Sequence, residues 1–193
     1  MGSQQPDEER LLRRVEAAAL SAAATAAARK SRSPVVVGID GRSGSGKTAL
    51  ADSLSERLGW PVLHLDDLYP GWDGLAEAPQ ILAREVLGPV RAGEAAGYRA
   101  WDWAAGRPGP WVDLPATSHL VVEGCGTGAD PAGELLDLLV WLDAPTDLRR
   151  RRALDRDGAV FAPHWERWAA QEDVVLTGVR ERADLVIDTG DQR

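Results

Sequence analysis

The sequence predicts an α/β fold in which a five-stranded parallel sheet is covered by helices on both faces. Three observations carry that prediction. Five short apolar runs, at 35–39, 61–65, 119–122, 138–142 and 183–188, are separated by segments with helical spacing. The inner runs are apolar throughout rather than alternating, as strands buried on both faces are. The first run also meets the helix-like segment after it through Gly41-Arg42-Ser43-Gly44-Ser45-Gly46-Lys47-Thr48. Strands alternating with helices imply right-handed crossovers and therefore parallel neighbours. A chain of 193 residues suffices for one such domain.

The elements follow in order. From Asp7 to about Lys30 the spacing is helical, with Asp7, Glu8 and Glu9 at the positive end of the helix dipole and Arg29 and Lys30 at the other. Leu11, Leu12, Val15, Ala18, Ala19 and Ala22 form its apolar stripe, so residues 1–30 are expected to pack as a helix on a domain spanning 31–193. Ser31 to Pro34 is a loop and Val35 to Ile39 the first strand. Thr48 to Leu58 is a helix closed by Gly59, and Pro61 to Leu65 a second strand ending at Asp66-Asp67. Gly71 to Gly74 is a turn and Gln80 to Arg91 a helix.

Gly93 to Pro115 is rich in Gly, Pro and Trp with weak periodicity, so irregular structure with short strands is expected there. His119 to Val122 is the third strand, running into Glu123-Gly124, and Leu138 to Leu142 the fourth, followed by Asp143-Ala144-Pro145. An arginine-rich helix from Thr146 to about Asp157, a helix from about Pro163 to Val175, and a fifth strand at Ala183 to Asp188 complete the chain. There is no internal repeat.

Composition narrows the function classes. A net charge of −8 argues against a nucleic-acid partner. The single cysteine, Cys125, cannot form an intrachain disulfide and fits a reducing compartment. The N-terminal stretch carries charges of both signs with no apolar core, unlike a signal peptide, and the alanine-rich segment lacks the large side chains of a membrane span. A soluble cytoplasmic protein without a membrane partner is expected; a homo-oligomer is left open.

The glycine loop carries the chemistry. Only two lysines occur in the chain, and one of them is Lys47. GRSGSGKT fits G-x-x-x-x-G-K-[ST] with a strand before it and a helix after it. Glycines let successive N–H groups turn inward around phosphate oxygens, and the helix starting at Lys47 adds its positive end. This predicts the three-layer P-loop NTPase fold. Gly41, Arg42, Ser43, Gly44, Ser45, Gly46, Lys47 and Thr48 would bind ATP, with Lys47 bridging the β- and γ-phosphates and the Thr48 hydroxyl on Mg²⁺.

Ligands of a parallel sheet gather at the carboxyl ends of its strands. Asp66 is therefore the candidate general base and a candidate metal carboxylate, and Glu123 the candidate for the metal's outer shell. A helix cap or a solvated turn is the alternative for Asp66 and Asp67. Arg149 to Arg152 cover every face of a helical turn, so at most two can address one ligand. Arg152 and Arg156, four apart, are the candidate lid pair over the transferring group, a solvated helix face being the alternative. Tyr98, Arg99, Trp101 and Asp102 fall where an acceptor could stack and hydrogen-bond; packing beneath a long loop is the other reading of the rings. His64, His119 and His164 have no metal-ligand spacing and read as structural.

The order GRSGSGKT, LDDLY, VVEG and an arginine-rich helix with RDG resembles the P-loop small-molecule kinases of the uridine kinase, phosphoribulokinase and pantothenate kinase group. DDLYPGWDGL, the Tyr98-to-Trp103 segment and ADLVID are similar to actinobacterial uridine kinase-like ATP-binding proteins. The resemblance implies Asp66 as base, Asp67 and Tyr69 near the acceptor, and Arg152 and Arg156 as lid arginines. It also implies a nucleoside-like small-molecule acceptor. Where uridine kinases carry a Pro-Asp-Ala-Phe-Asp-like segment this chain has GWDGL, so the likeness bears on the donor side more than on the acceptor. A nucleotide-binding regulator that hydrolyses slowly, and a relative that binds ATP without chemistry, are the competing expectations.

Overall fold

The computed structural model describes residues 4–29 and 33–190, with side chains from Glu8 onward. The expected helix end at Lys30 and the loop residues Ser31 and Arg32 lie outside them. Five strands form one parallel sheet: β1 (Val35–Asp40), β2 (Val62–His64), β5 (His119–Glu123), β6 (Leu138–Asp143) and β7 (Leu185–Asp188), in the order β2-β5-β1-β6-β7. β1 and β2 lie on either side of β5, so the topology opens a crevice at the carboxyl ends of these strands. The register pairs Glu123 with both Ile39 and His64, which brings the end of β1, the end of β2 and the acidic end of β5 to one edge.

Alternation along the strands supplies both cores. Val36, Leu120 and Val122 point to one face and Val37, Ile39 and Val121 to the other. On the second face α1 (Gln4–Ala28) and α2 (Lys47–Leu58) cover the sheet through Val15, Ala19, Ala51 and Leu54. On the first face lies a helix that begins as α3 (Ala78–Ile81), passes through a π-helical stretch (Leu82–Leu87) and ends as α4 (Gly88–Ala92). α5 (Thr146–Phe161) and α6 (Trp165–Val175) share that face, and the short α7 (Val179–Arg182) packs on β6. Both faces are therefore covered, as the apolar strand pattern requires.

Three expectations are corrected. The Gly93–Pro115 segment is an antiparallel hairpin of β3 (Ala96–Asp102) and β4 (Arg107–Leu114), with a register shift between Arg99 and Trp101. Its β4 carries Pro108 and Pro110, and a two-stranded ribbon leaves room for prolines on its unpaired edge, so the usual strand signal is missing. The second strand stops at His64, and Leu65–Asp67 form a 3₁₀ turn, because Asp66 and Asp67 leave the sheet there. The arginine-rich helix continues past Asp157 to Phe161, broken at Gly158 with φ 53° and ψ −131°. No helix among the described residues is long and apolar enough to cross a membrane.

Candidate active site

The loop between β1 and α2 is shaped by its neighbours. Gly44 has φ 80°, and a Cβ there would come within 2.0 Å of the Arg149 carbonyl oxygen. Gly46 caps α2 in the left-handed region at φ 98°. The loop therefore runs flat against the base of α5 and delivers a helix N-terminus to the crevice. Lys47 folds back over it, its Nζ donating to the Arg42 carbonyl at 3.1 Å and lying 3.5 Å from Cys125 Sγ. Burial works against the charge on Lys47, but the Cys125 sulfur and the carboxylates of Glu123, Glu172 and Asp40 outweigh it and hold the pKa above its ordinary value.

Two buried carboxylates that the sequence reading passed over hold this loop. Asp40, the last residue of β1, is fully buried and accepts N–H bonds from Gly41 at 2.6 Å, Gly126 at 3.0 Å and Gly128 at 2.7 Å. It ties the phosphate-loop candidate to the loop after β5. Burial raises its pKa to about 6 against the opposing pull of those three amides and of Lys47. Glu172, on α6, accepts the Ser43 N–H at 2.7 Å, with its other oxygen 3.8 Å from Arg42 Nη1 and 3.9 Å from Arg149 Nη1. Arg149 in turn donates to the Ser43 carbonyl at 3.2 Å. Both backbone polar groups of Ser43 are thus gripped from the α5–α6 side.

The opposite wall carries the strand-end carboxylates. Thr48 Oγ1 donates to Glu123 Oε1 at 3.3 Å, and the same oxygen lies 2.8 Å from His64 Nδ1. The Glu123 hydrogen bond, against desolvation, raises the pKa of His64. A histidine read as structural therefore orients a site carboxylate, and the signal for it was the facing register of β2 and β5. Asp66 lies across the cleft. Burial by the cleft walls and then repulsion from Glu123 raise its pKa, while Arg156 and Lys47 pull it down.

These groups share one cleft of about 380 Å³, bounded by Lys47, Thr48, Asp66, Glu123 and Arg156. Arg156 is held by Asp157 through bonds of 2.9 and 2.7 Å. The structure does not bring Arg152 with it. Arg152 donates to Thr189 Oγ1 at 3.2 Å and to the Thr189 carbonyl at 3.0 Å. It lines a separate cavity of about 800 Å³ on the other side of the loop, with Ser45, Gly46, Leu11 and Leu12. Spacing of four on a helix does not ensure a shared ligand when one side chain finds a partner on β7's trailing loop.

The expected acceptor residues separate as well. Tyr69 lines the cleft, its hydroxyl donating to the Cys125 carbonyl at 3.0 Å. Asp67 lies outside and accepts the Tyr98 hydroxyl at 3.3 Å. Arg99 donates to the Gly109 carbonyl across the hairpin, Trp101 packs over Gly71, and Asp102 accepts the Ala105 N–H in the hairpin turn. The rings that do face the cleft are Trp72, Trp103, Phe161 and Trp168. Trp72 is stacked on His164 with centroids 4.2 Å apart, and Trp103 Nε1 donates to the Asp66 carbonyl at 2.8 Å.

The donor set suits Mg²⁺: a hydroxyl and hard carboxylate oxygens, leaving positions for phosphate oxygens and water. Among the described residues no group of three or more His, Cys, Asp or Glu is placed to hold a metal unaided.

No family model matches the sequence, and no curated protein matches it. Solved structures do. A protein described as a possible uridine kinase from Bacillus stearothermophilus is 22% identical over 82% of this chain and 90% of its own, with a TM-score of 0.59. A protein assigned as a fructose transport system kinase from Silicibacter is 20% identical over 81% of this chain and 90% of its own, TM-score 0.55. Shikimate kinase from Acinetobacter baumannii is 17% identical over 82% and 85%, TM-score 0.52. What these similarities establish is the fold: the chain is an α/β domain with the five-stranded parallel sheet of the P-loop kinases.

Proposed function

We propose that the protein is an ATP- and Mg²⁺-dependent phosphotransferase that moves the γ-phosphoryl group to a hydroxyl of a small, nucleoside-like metabolite. The observation that carries this reading is the convergence of Lys47, Thr48, Glu123, Asp66 and Arg156 on one cleft at the carboxyl edge of the sheet. The loop amides and Lys47 hold the β- and γ-phosphates, and the larger cavity beside Ser45 and Gly46 leaves room for the donor's base next to Arg152. Thr48 and Glu123 are the residues that would hold Mg²⁺, with Asp66 across the cleft; bound there, the metal neutralises phosphate charge. Asp66 accepts the proton of the attacking hydroxyl, and its raised pKa strengthens it as a base. Arg156 faces the transferring group from α5 and stabilises charge on it. A base across the cleft from the donor loop, flanked by rings, supports an alcohol acceptor over water.

The test is ADP release by the purified protein with MgATP, alone and with a panel of nucleosides and other alcohols. Release that depends on an acceptor is expected. Slow release unaffected by every acceptor at every concentration would instead identify a nucleotide-hydrolysing switch.

A further inference from the structure

The cleft that would hold the acceptor has an unusual balance of charge and hydrogen-bonding groups. Two cations bound it, Lys47 and Arg156. Lys47 lies on the phosphate loop, bonded to the Arg42 carbonyl, and belongs to the donor. Arg156 acts on Asp66 more strongly than Lys47 does, and Asp157 already engages its Nε and Nη2. Arg167 pairs with Asp73 and Arg99 with the Gly109 carbonyl, and neither lines the cleft. Against these stand Asp66, Asp157 and Glu123, all lining the same cleft.

Several neutral donors at the cleft are already engaged or enclosed. Trp103 Nε1 is bonded to the Asp66 carbonyl, the Tyr69 hydroxyl to the Cys125 carbonyl and the Thr48 hydroxyl to Glu123, and Trp168 Nε1 is sealed from solvent without a partner among the described residues. A carboxylate or phosphate taken from water needs charged partners or several N–H donors to replace its hydration. The acceptor half of the cleft has apolar surface instead, in Trp103, Val160 and Phe161. The Asp66 carboxylate accepts no hydrogen bond among the described residues, so it is open to a hydroxyl.

We propose that this cleft selects an uncharged hydroxyl compound with a flat or apolar face, and rejects acceptors that bear a carboxylate or a phosphate. The selection is by repulsion as much as by fit: an anion would sit beside Asp66 and Asp157, with Lys47 on the donor loop and Arg156 already paired with Asp157. This rests on the phosphotransferase reading and narrows it to one chemical class of acceptor. It separates the chain from any kinase whose acceptor is a sugar phosphate or a hydroxy acid, although such enzymes share its fold.

The experiment compares matched alcohols that differ only in an anionic group, with the full-length protein and MgATP. The probes are uridine against uridine 3′-phosphate, and the methyl ester of shikimate against shikimate, within a wider panel of neutral and anionic polyols. For every acceptor that is turned over, the neutral form is expected to exceed its anionic partner by about 10²-fold or more in kcat/KM. A second arm uses Val160→Arg, a substitution at an exposed residue on the cleft rim that adds a cation. It is expected to shrink that ratio by roughly tenfold. An anionic acceptor preferred over its neutral partner, or a ratio that Val160→Arg leaves unchanged, overturns the charge selection while leaving the kinase reading intact. Binding of MgATP with no turnover of any alcohol overturns the kinase reading itself, and this inference with it.

Discussion

Asp66 and Arg156 face each other across the cleft, and each changes what the other can do. As the proposed base, Asp66 must lose its proton before it can accept one from a hydroxyl. Its folded pKa lies above the ordinary 3.8, so kcat/KM should rise with pH through a value higher than a free aspartate would give. Arg156 pulls that pKa down, so Arg156→Ala should both lower kcat by about 10²-fold and move the acidic limb to higher pH. Arg152→Ala should leave the limb in place and raise the KM for ATP, because Arg152 lines the larger cavity with Thr189, the proposed place of the donor's base. A pH–rate profile of the three proteins checks this; identical limbs for wild type and Arg156→Ala would contradict the pairing.

Lys47, Thr48, Asp66 and Glu123 were placed by a motif or a strand end in the sequence, and the structure brings all four to one cleft. The sequence held no sign of Asp40 and Glu172, and none of the partners that His64 and Arg149 find. Their partners are backbone amides and carbonyls or facing strands; Glu172 and Ser43 are 129 residues apart. No local pattern encodes such a contact.

Among the elements, α6 has the most specific role. Trp168, Gln171 and Glu172 lie three and four residues apart, hence on one face. Gln171 Nε2 donates to the Trp72 carbonyl at 2.8 Å and its oxygen accepts the Leu75 N–H at 3.3 Å, fixing the loop from Trp72 to Leu75. Glu172 fixes the glycine loop through Ser43. One helix therefore braces both halves of the cleft. Glu172→Ala would strand the Ser43 N–H and leave Arg149 without its buried counter-charge, a loss of about 3 kcal/mol in stability. It should also weaken MgATP binding by roughly tenfold as the loop loses its shape. Glu172→Gln keeps an oxygen for Ser43 and should recover most of the binding, measured by calorimetry. Tighter binding by Glu172→Ala would mean that the carboxylate competes with phosphate instead.

The parallel strands and the helices beside them were legible from apolar runs and helical spacing. The β3–β4 hairpin was not, because two prolines and a register shift mask its alternation. Nor was the extension of α5 past Gly158, since a glycine there reads as a stop.

For the whole molecule, the buried carboxylate of Asp40 links stability to pH. Its pKa of about 6 exceeds the 3.8 of an exposed aspartate, so the folded state holds the proton more tightly than the unfolded chain does. The contribution is therefore full below pH 3.8 and is lost as pH rises through about 6, an effect of about 3 kcal/mol. Denaturant unfolding from pH 4 to pH 7 should show this fall in the wild type. Asp40→Asn should be less stable at low pH, since its amide must face one of three N–H donors, and should lack the fall. A slope unchanged by Asp40→Asn would assign the pH dependence to other groups.

In the proposed function, amides of residues 41–48 and the Lys47 ammonium converge on a nucleotide's phosphates. Calorimetric titration of the folded protein with MgATP, beside folded Lys47→Ala, measures it directly. One saturable site is expected in the wild type, weakened by about 10²-fold or more when Lys47 is removed. No binding heat from the wild type, or equal affinity in the two proteins, would contradict it.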